Sequence, residues 1–550
     1  MTKVRMYFTK RILLLYCFLT AAAVLLFCSR SSPLYPMNDW EDVHCFLTLG
    51  RGILGGMVPY VDLYEQKGPI LYFVYAVVAL FSQKSMFGQY VLEVITTGLF
   101  LYYSAKITEI YLGKTKYLYP IVAAIAAITS TSLSFDCGGS VEQMCLFMFV
   151  YGLYSAIRAN CERRGLSFRD ALINGIFAGI TLWIKYTMLG FYLGLAMFVI
   201  IWYVKWRKDI KGLLSVIGQF LLGVAVITSI VCGYFLSVGG FKALYICYFY
   251  NNIFLYSAGK SGLLVMLGNF FWSLLCNPGI CFLIILGGAW LVFDKKKNFF
   301  NLVAVGFSFA GMALCTSMGK GYPYYAHVYS AFVVLGFIPI ILLLRYIKFS
   351  EFVSKICGTR SIVVTTLSCV FLAAMVWLSF YSSPNTYLLS YEKEDLPQYK
   401  FANIINETKN PTLLNFGFLD GGFYYAADVL PSCRYFCFFN VNTEEMWQTQ
   451  YECVRDGKVD YIITRHFPLE EYGADSSRYE LIETAEYNRD GEMVMHYLYK
   501  LKADDILTNS AGIPTRVSSS VVEPRLQRTS SFFDEITNSA HRKSAELLGA

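Results

Sequence analysis

Runs of roughly twenty apolar residues recur along the first two-thirds of this chain, separated by short polar connections. No other feature limits the fold so strongly, because that is the length a helix needs to cross the hydrocarbon core of a bilayer. About eleven such runs can be marked. They fall near residues 11–28, 88–112, 117–135, 141–158, 170–186, 188–206, 212–236, 279–293, 298–318, 324–345 and 361–381. The 550 residues are 56% hydrophobic and only 15% charged, too apolar for a soluble protein of this size. The expected fold class is therefore an α-helical polytopic membrane protein. The first run follows Lys10 and Arg11 but has no clear small-residue cleavage site before Arg30, and reads as a retained helix.

Positive charge orients these spans, because Lys and Arg gather in cytoplasmic loops. They cluster at every second connection: Lys3 to Arg11, Lys114 and Lys116, Arg158 to Arg169, Lys205 to Lys211, Lys295 to Lys297, and Arg345 to Arg360. The alternation closes if two further apolar stretches, Ile70–Ser82 and Leu264–Leu275, lie at the outer interface without crossing. An odd number of crossings then puts the N-terminus in the cytoplasm and everything after Tyr381 outside. The net charge of +7 is spent on these topological clusters and gives no nucleic-acid-binding patch. The sixteen cysteines contain no CxxC pair and read as small apolar residues.

In this orientation the polar residues beside the spans face outward together. The loop Asn38–Pro69 (NDWEDVHCFLTLGRGILGGMVPYVDLYEQKGP) carries Asp39, Glu41, Asp42, Asp62, Glu65 and Lys67. SFDCGGSVEQ puts Glu142 at the head of the fourth span, Lys185 ends the fifth, and GKGYPYYAH brings Lys320, Tyr324 and Tyr325 between the ninth and tenth. A lone loop acid is ordinarily just solvated. Glu142, Lys67 and Lys185, however, sit at or near membrane depth, where an unpaired charge is costly, so one outward polar cavity is expected.

The spacing D-x-x-x-F from Asp42, then I-L-x-G, P-Y-x-D and E-x-K-G-P, resembles the first external loop of the lipid-dependent membrane glycosyltransferases of the GT-C superfamily. Protein O-mannosyltransferases, the aminoarabinose transferases of lipid A, and a bacterial branch with N-D-W-x-D followed by E-Q-K-G-P are the most similar. The similarity spans roughly residues 1–380 and is most specific over Asn38–Phe73. It implies a GT-C bundle with interfacial helices, working in a bacterial plasma membrane. It also implies a catalytic acid at the head of the loop, which Asp42 fits best with Phe46 four positions on; Val43 replaces the usual second acid, and Asp39, one turn earlier, stays open as the alternative. Lys67 corresponds to the lysine that approaches the lipid phosphate, with Lys320, Tyr324 and Tyr325 in the K-x-P-H-Y-like segment, where Tyr324 replaces the common His. Glu142, Lys185 and Glu65 are the candidates for holding substrate.

The function so implied is inverting transfer of a sugar from a polyprenyl-phosphate donor to a glycan, lipid or protein acceptor on the outer face. Such a donor carries a good leaving group, so the chemistry needs one base and one cation and not the acid pair of a glycoside hydrolase. No metal-ligand cluster stands out, although some superfamily members use a divalent cation. The competing reading is a transporter or flippase of lipid-linked sugar. Against it, the polar residues gather at the outer face and not at the midplane, and no paired half-repeat is visible. Two narrower rivals are a polysaccharide polymerase of unrelated fold and an inactive relative that only binds the lipid-linked sugar.

Three regions are expected: residues 1–382 as the membrane catalytic domain, 383–502 as a small extracytoplasmic α/β domain, and 503–550, rich in Ser, Thr and Arg, as a flexible tail. In the second region, Gln398–Thr408 and Thr443–Asp456 read as helices, and TLLNFG, VDYIITR and MVMHYLYKL as strands. Cys433, Cys437 and Cys453 lie where disulfides are permitted, but their odd number decides no pairing.

Overall fold

The structure, a computed structural model, describes residues 3–113, 115, 117–256, 262–319, 321–347, 361–441 and 443–502. The candidate Lys320 and the expected tail lie outside these residues. Helices occupy every apolar run marked in the sequence: α1 (Lys3–Cys28), α4 (Phe87–Leu112), α5 (Leu118–Ser130), α6 (Val141–Cys161), α7 (Phe168–Leu182), α8 (Gly190–Ile201), α9 (Ile210–Ser237), α12 (Pro278–Phe293), α13 (Lys295–Ser317), α14 (Val334–Tyr346) and α15 (Ser361–Ser382). Between them lie α2 (Glu41–Leu54), α3 (Pro69–Leu80), the short α10 (Phe241–Leu244) and α11 (Leu263–Leu275).

Five of the described helical stretches are long and apolar enough to cross a membrane unbroken. Two bent pairs add to them: α11 with α12, turned by 100°, and the 3-10 segment Pro323–Phe332 with α14, turned by 46°. The sharp turn into α12 sets α11 across that helix's axis. No residue of α11 is buried, and Leu263, Leu264, Val265, Leu267, Phe271 and Leu275 are exposed, which suits an apolar surface lying along lipid. In the bundle α1 packs on α4, α4 on α6, α7 on α9, α8 on α13 and α12 on α14.

Beyond α15 the chain builds a four-stranded sheet in the order β1-β2-β4-β3, from β1 (Leu413–Asn415), β2 (Tyr461–Arg465), β3 (Tyr479–Arg489) and β4 (Glu492–Leu501). β1 runs parallel to β2, and the other pairs are antiparallel. The helices Pro397–Ile405 and Glu444–Arg455 and three of the strands fall where the sequence suggests; β3 was not foreseen. Glu480, Glu483 and Glu486 are exposed along β3, which leaves its apolar pattern weak. Its hairpin with β4 turns at Asp490–Gly491, both with positive φ, the backbone that an Asp-Gly pair favours in a tight turn.

This sheet unit is fastened to α2 by buried charge. Glu41, the first residue of α2, is gripped by Arg489 (Nη2 to Oε2 2.7 Å) and Arg465 (2.6 Å). Asp39 accepts from Arg30 at 2.6 Å and lies 3.4 Å from Arg489, and Arg30 also pairs with Asp490. Burial works against the charge on Glu41, but Arg489 and Arg465 outweigh it and hold the carboxyl below its ordinary range; Arg30 and Arg489 do the same for Asp39. A carboxylate depressed by folding contributes stability that is full above its unfolded value and is lost as pH falls through its folded value. Attachment of the sheet unit is therefore expected to hold from neutral pH to about pH 4 and to loosen only below it. Thermal melting followed by tryptophan fluorescence across that range checks this, and Glu41→Gln, which leaves two arginines with a neutral partner, should lower stability by about 3–5 kcal/mol at neutral pH.

Candidate active site

Two ion pairs form the centre of the polar cluster. The first joins Asp42 Oδ2 to Lys67 Nζ at 3.7 Å. Asp42 stands in the first turn of α2, where a carboxylate complements the helix dipole, and Phe46 follows one turn later on the same face. Lys67 Nζ lies 5.6 Å from the centre of the Phe46 ring. The D-x-x-x-F spacing thus supplies a carboxylate and an aromatic face to one ammonium.

The second pair joins Glu142 Oε1, in the first turn of α6, to Lys185 Nζ at 2.5 Å. Lys185 also sits 3.5 Å from the centre of the Tyr325 ring and 5.7 Å from that of Tyr324. The two pairs are neighbours because of the backbone between Lys67 and Pro69. Gly68 N–H donates to Ile184 O at 2.9 Å and Ile70 N–H to Trp183 O at 3.1 Å. A Cβ on Gly68 would lie 2.1 Å from the Trp183 carbonyl oxygen, so only glycine lets the two chains approach this closely. Pro69 then starts α3 at a position where its missing N–H is not needed. The K-G-P motif is in this way a docking device that sets Lys67 beside Lys185.

The charges balance locally. Burial opposes the Lys67 ammonium, but Asp42 and Glu65 outweigh it and raise its pKa above the ordinary lysine value. Lys185 is matched by Glu142. Glu65 lies beneath the cluster, accepting from the Lys67 N–H at 2.7 Å and from the Tyr72 hydroxyl, and burial raises its pKa despite Lys67. It shapes the lysine loop from below.

Of the sequence candidates, Asp42, Lys67, Glu142, Lys185, Tyr324 and Tyr325 come together, with Glu65 underneath. Asp39 does not join them. It is 3% exposed and taken up by Arg30 and Arg489, whereas Asp42 and Lys67 keep 14% and 12% exposure and can be reached. Trp40, Tyr256 and Tyr322 were missed. Tyr322 stacks on Tyr324, Trp40 meets Tyr324 edge-on at 5.3 Å, and Tyr256 hydrogen-bonds Tyr325. The GYPYY run could have flagged Tyr322; Tyr256 comes from a segment with no local signal.

A cleft lined by Asn269, Ser273, Thr316, Tyr322, Tyr325 and Tyr329 opens beside the cluster. An apolar groove of about 580 Å³ lies elsewhere, between α1 and α15, lined by residues such as Phe27, Leu372 and Trp377. None of the residues lining it is charged. Among the described residues no group of three or more His, Cys, Asp or Glu is placed to hold a metal, and each carboxylate of the cluster already faces a lysine.

Glu142 is 2% exposed and its Oε2 has no hydrogen-bond partner. Lys185→Met should leave that charge uncompensated and cost about 3–5 kcal/mol, with much of the loss recovered by adding Glu142→Gln. Melting of the purified single and double variants in detergent measures this.

No family model matches the chain, and no curated protein does either. Solved structures do. ArnT of Cupriavidus metallidurans, an aminoarabinose transferase, aligns over 87% of this chain and 97% of its own in two states: apo, at 13% identity and TM-score 0.55, and bound to undecaprenyl phosphate, at 12% and 0.53. An oligosaccharyltransferase of Archaeoglobus fulgidus aligns more loosely, at 13% identity and TM-score 0.44 over 82% of this chain and 67% of its own. At this level of identity the likeness shows that the chain shares the fold of ArnT.

Proposed function

We propose that this protein is an inverting glycosyltransferase that takes a sugar from a polyprenyl-phosphate donor and passes it to an acceptor at the outer face of the membrane. The observation that carries the proposal is the reachable Asp42–Lys67 pair beside the second lysine, Lys185. It supplies one carboxylate and a cationic patch, which is what the reaction needs. The fold shared with an enzyme whose structure holds undecaprenyl phosphate supports the same donor class.

The lipid phosphate is held by Lys67, with Lys185 and the hydroxyls of Tyr324 and Tyr325 at its side. At 3.7 Å the Asp42–Lys67 contact is long for a charged hydrogen bond, so a phosphate can take over the ammonium. That leaves the Asp42 carboxylate free to receive the proton of the acceptor hydroxyl as its oxygen bonds to the anomeric carbon. The bond from that carbon to the phosphate oxygen breaks, and Lys67 stabilises the charge gathering there. Attack opposite the leaving phosphate inverts the anomeric centre. Glu142, itself buried, holds Lys185 in place beside the donor phosphate.

Eleven crossings with α3 and α11 at the outer interface, a cytoplasmic N-terminus and the sheet unit outside make up the topology of this proposal, in a bacterial plasma membrane. The region divisions near residues 382 and 502 belong to it as well. Purified protein in vesicles, supplied with a polyprenyl-phosphate sugar and an envelope extract as acceptor, tests it. The expected products are free polyprenyl phosphate and a glycoside of inverted configuration by NMR. Donor that crosses the bilayer chemically unchanged would instead identify a flippase.

A further inference from the structure

The sheet unit carries two thiol pairs that the sequence leaves unassigned. Cys453 Sγ lies 3.6 Å from Cys433 Sγ, and Cys437 Sγ lies 4.0 Å from Cys45 Sγ on α2. The apparently odd external cysteine is thereby explained: Cys437 faces the first external loop and leaves Cys433 and Cys453 to each other. Both members of this latter pair are buried, at 7% and 5% exposure.

We infer that Cys433 and Cys453 are a disulfide-forming site, oxidised in the mature protein, which ties the segment 433–439 to the helix Glu444–Arg455. This rests on the proposed outward placement of the sheet unit, since disulfides persist only in an oxidising compartment. The Cys453 thiol donates to Cys433, and that hydrogen bond lowers the Cys433 pKa against burial, which marks Cys433 as the first nucleophile. Its thiolate attacks the disulfide of a thiol oxidoreductase or a small disulfide oxidant and releases one thiol. Cys453, giving up its proton, then displaces the second, so that two cysteine thiols and one oxidant disulfide become one protein disulfide and two thiols. The exchange takes place late in folding, once the two thiols have met and before the pair is covered.

The bond would act next to the active site. Arg434, adjoining Cys433, accepts the Tyr64 N–H on its carbonyl at 2.9 Å and donates from Nε to Tyr60 O at 3.2 Å. Tyr60 in turn donates its hydroxyl to the Lys67 carbonyl at 2.5 Å. Closing the loop between positions 20 residues apart therefore braces the segment that backs the lysine loop.

The test uses full-length protein purified without reductant, alkylated, digested and read by mass spectrometry. A parallel Glu483→Cys variant, at an exposed position on β3, is labelled in intact cells with a membrane-impermeant maleimide. The expected result is a Cys433–Cys453 linked peptide that disappears on reduction, a melting temperature several degrees lower in reductant for the wild type but not for the Cys433→Ala/Cys453→Ala double variant, and surface labelling of Glu483→Cys. Free alkylation of both thiols, or linkage of either to Cys437, together with surface labelling would overturn the disulfide and leave the topology intact. Labelling only after permeabilisation would overturn both.

Discussion

Asp42→Asn is expected to lower turnover by about 10²–10⁴-fold, the usual worth of a positioned base, while donor binding stays within a few-fold of wild type. Asparagine keeps the shape of the side chain at the head of α2 but cannot take the acceptor proton. The loss should appear in kcat with little change in KM, because the proton moves only as the new bond forms. Lys67 still faces Glu65 and, in the complex, the donor phosphate, so the variant should fold and load. Single-turnover transfer together with equilibrium binding of the donor separates the two effects.

Lys67→Ala should be comparably damaging but with a different signature. Removing a cation aimed at developing charge costs about 10²–10³-fold in rate, and here KM should rise as well, because the same ammonium holds the phosphate in the ground state. Lys67→Arg should recover part of the binding and less of the rate. A planar guanidinium can grip a phosphate, but it cannot occupy the compact place between Asp42 and the Phe46 face. A Lys67→Ala protein with wild-type KM and a reduced kcat would mean that the lysine serves only the transition state.

The helical fold was legible because spans of membrane length are written in composition. The site was half legible. Asp42, Phe46 and Lys67 are tied by local spacing and by the glycine that docks the lysine loop, and their motif shows in one line of sequence. The choice between Asp39 and Asp42 was not legible, since one helical turn separates them and both precede apolar residues. In the structure Arg30, nine residues earlier, and Arg489, from the sheet unit, pair with Asp39 and leave Asp42 the more exposed of the two. Glu41 is claimed in the same way by Arg465 and Arg489. Of the loop's five acids, Asp39 and Glu41 fasten the sheet unit, Glu65 lies beneath the lysine, Asp42 faces it, and Asp62 accepts from the Val58 N–H. Strand β3 escaped notice for a related reason: its register depends on β4 and the Asp490–Gly491 turn more than on its own pattern.

The most direct test of the central claim compares sugar transfer from a polyprenyl-phosphate donor by wild type, Asp42→Asn and Asp39→Asn in the same lipid preparation, normalised to folded protein. The account predicts turnover by wild type, near-complete loss in Asp42→Asn with donor binding retained, and in Asp39→Asn a loss of stability with residual activity in proportion to the folded fraction. Wild-type turnover by folded Asp42→Asn, or selective loss in stable Asp39→Asn, would contradict it.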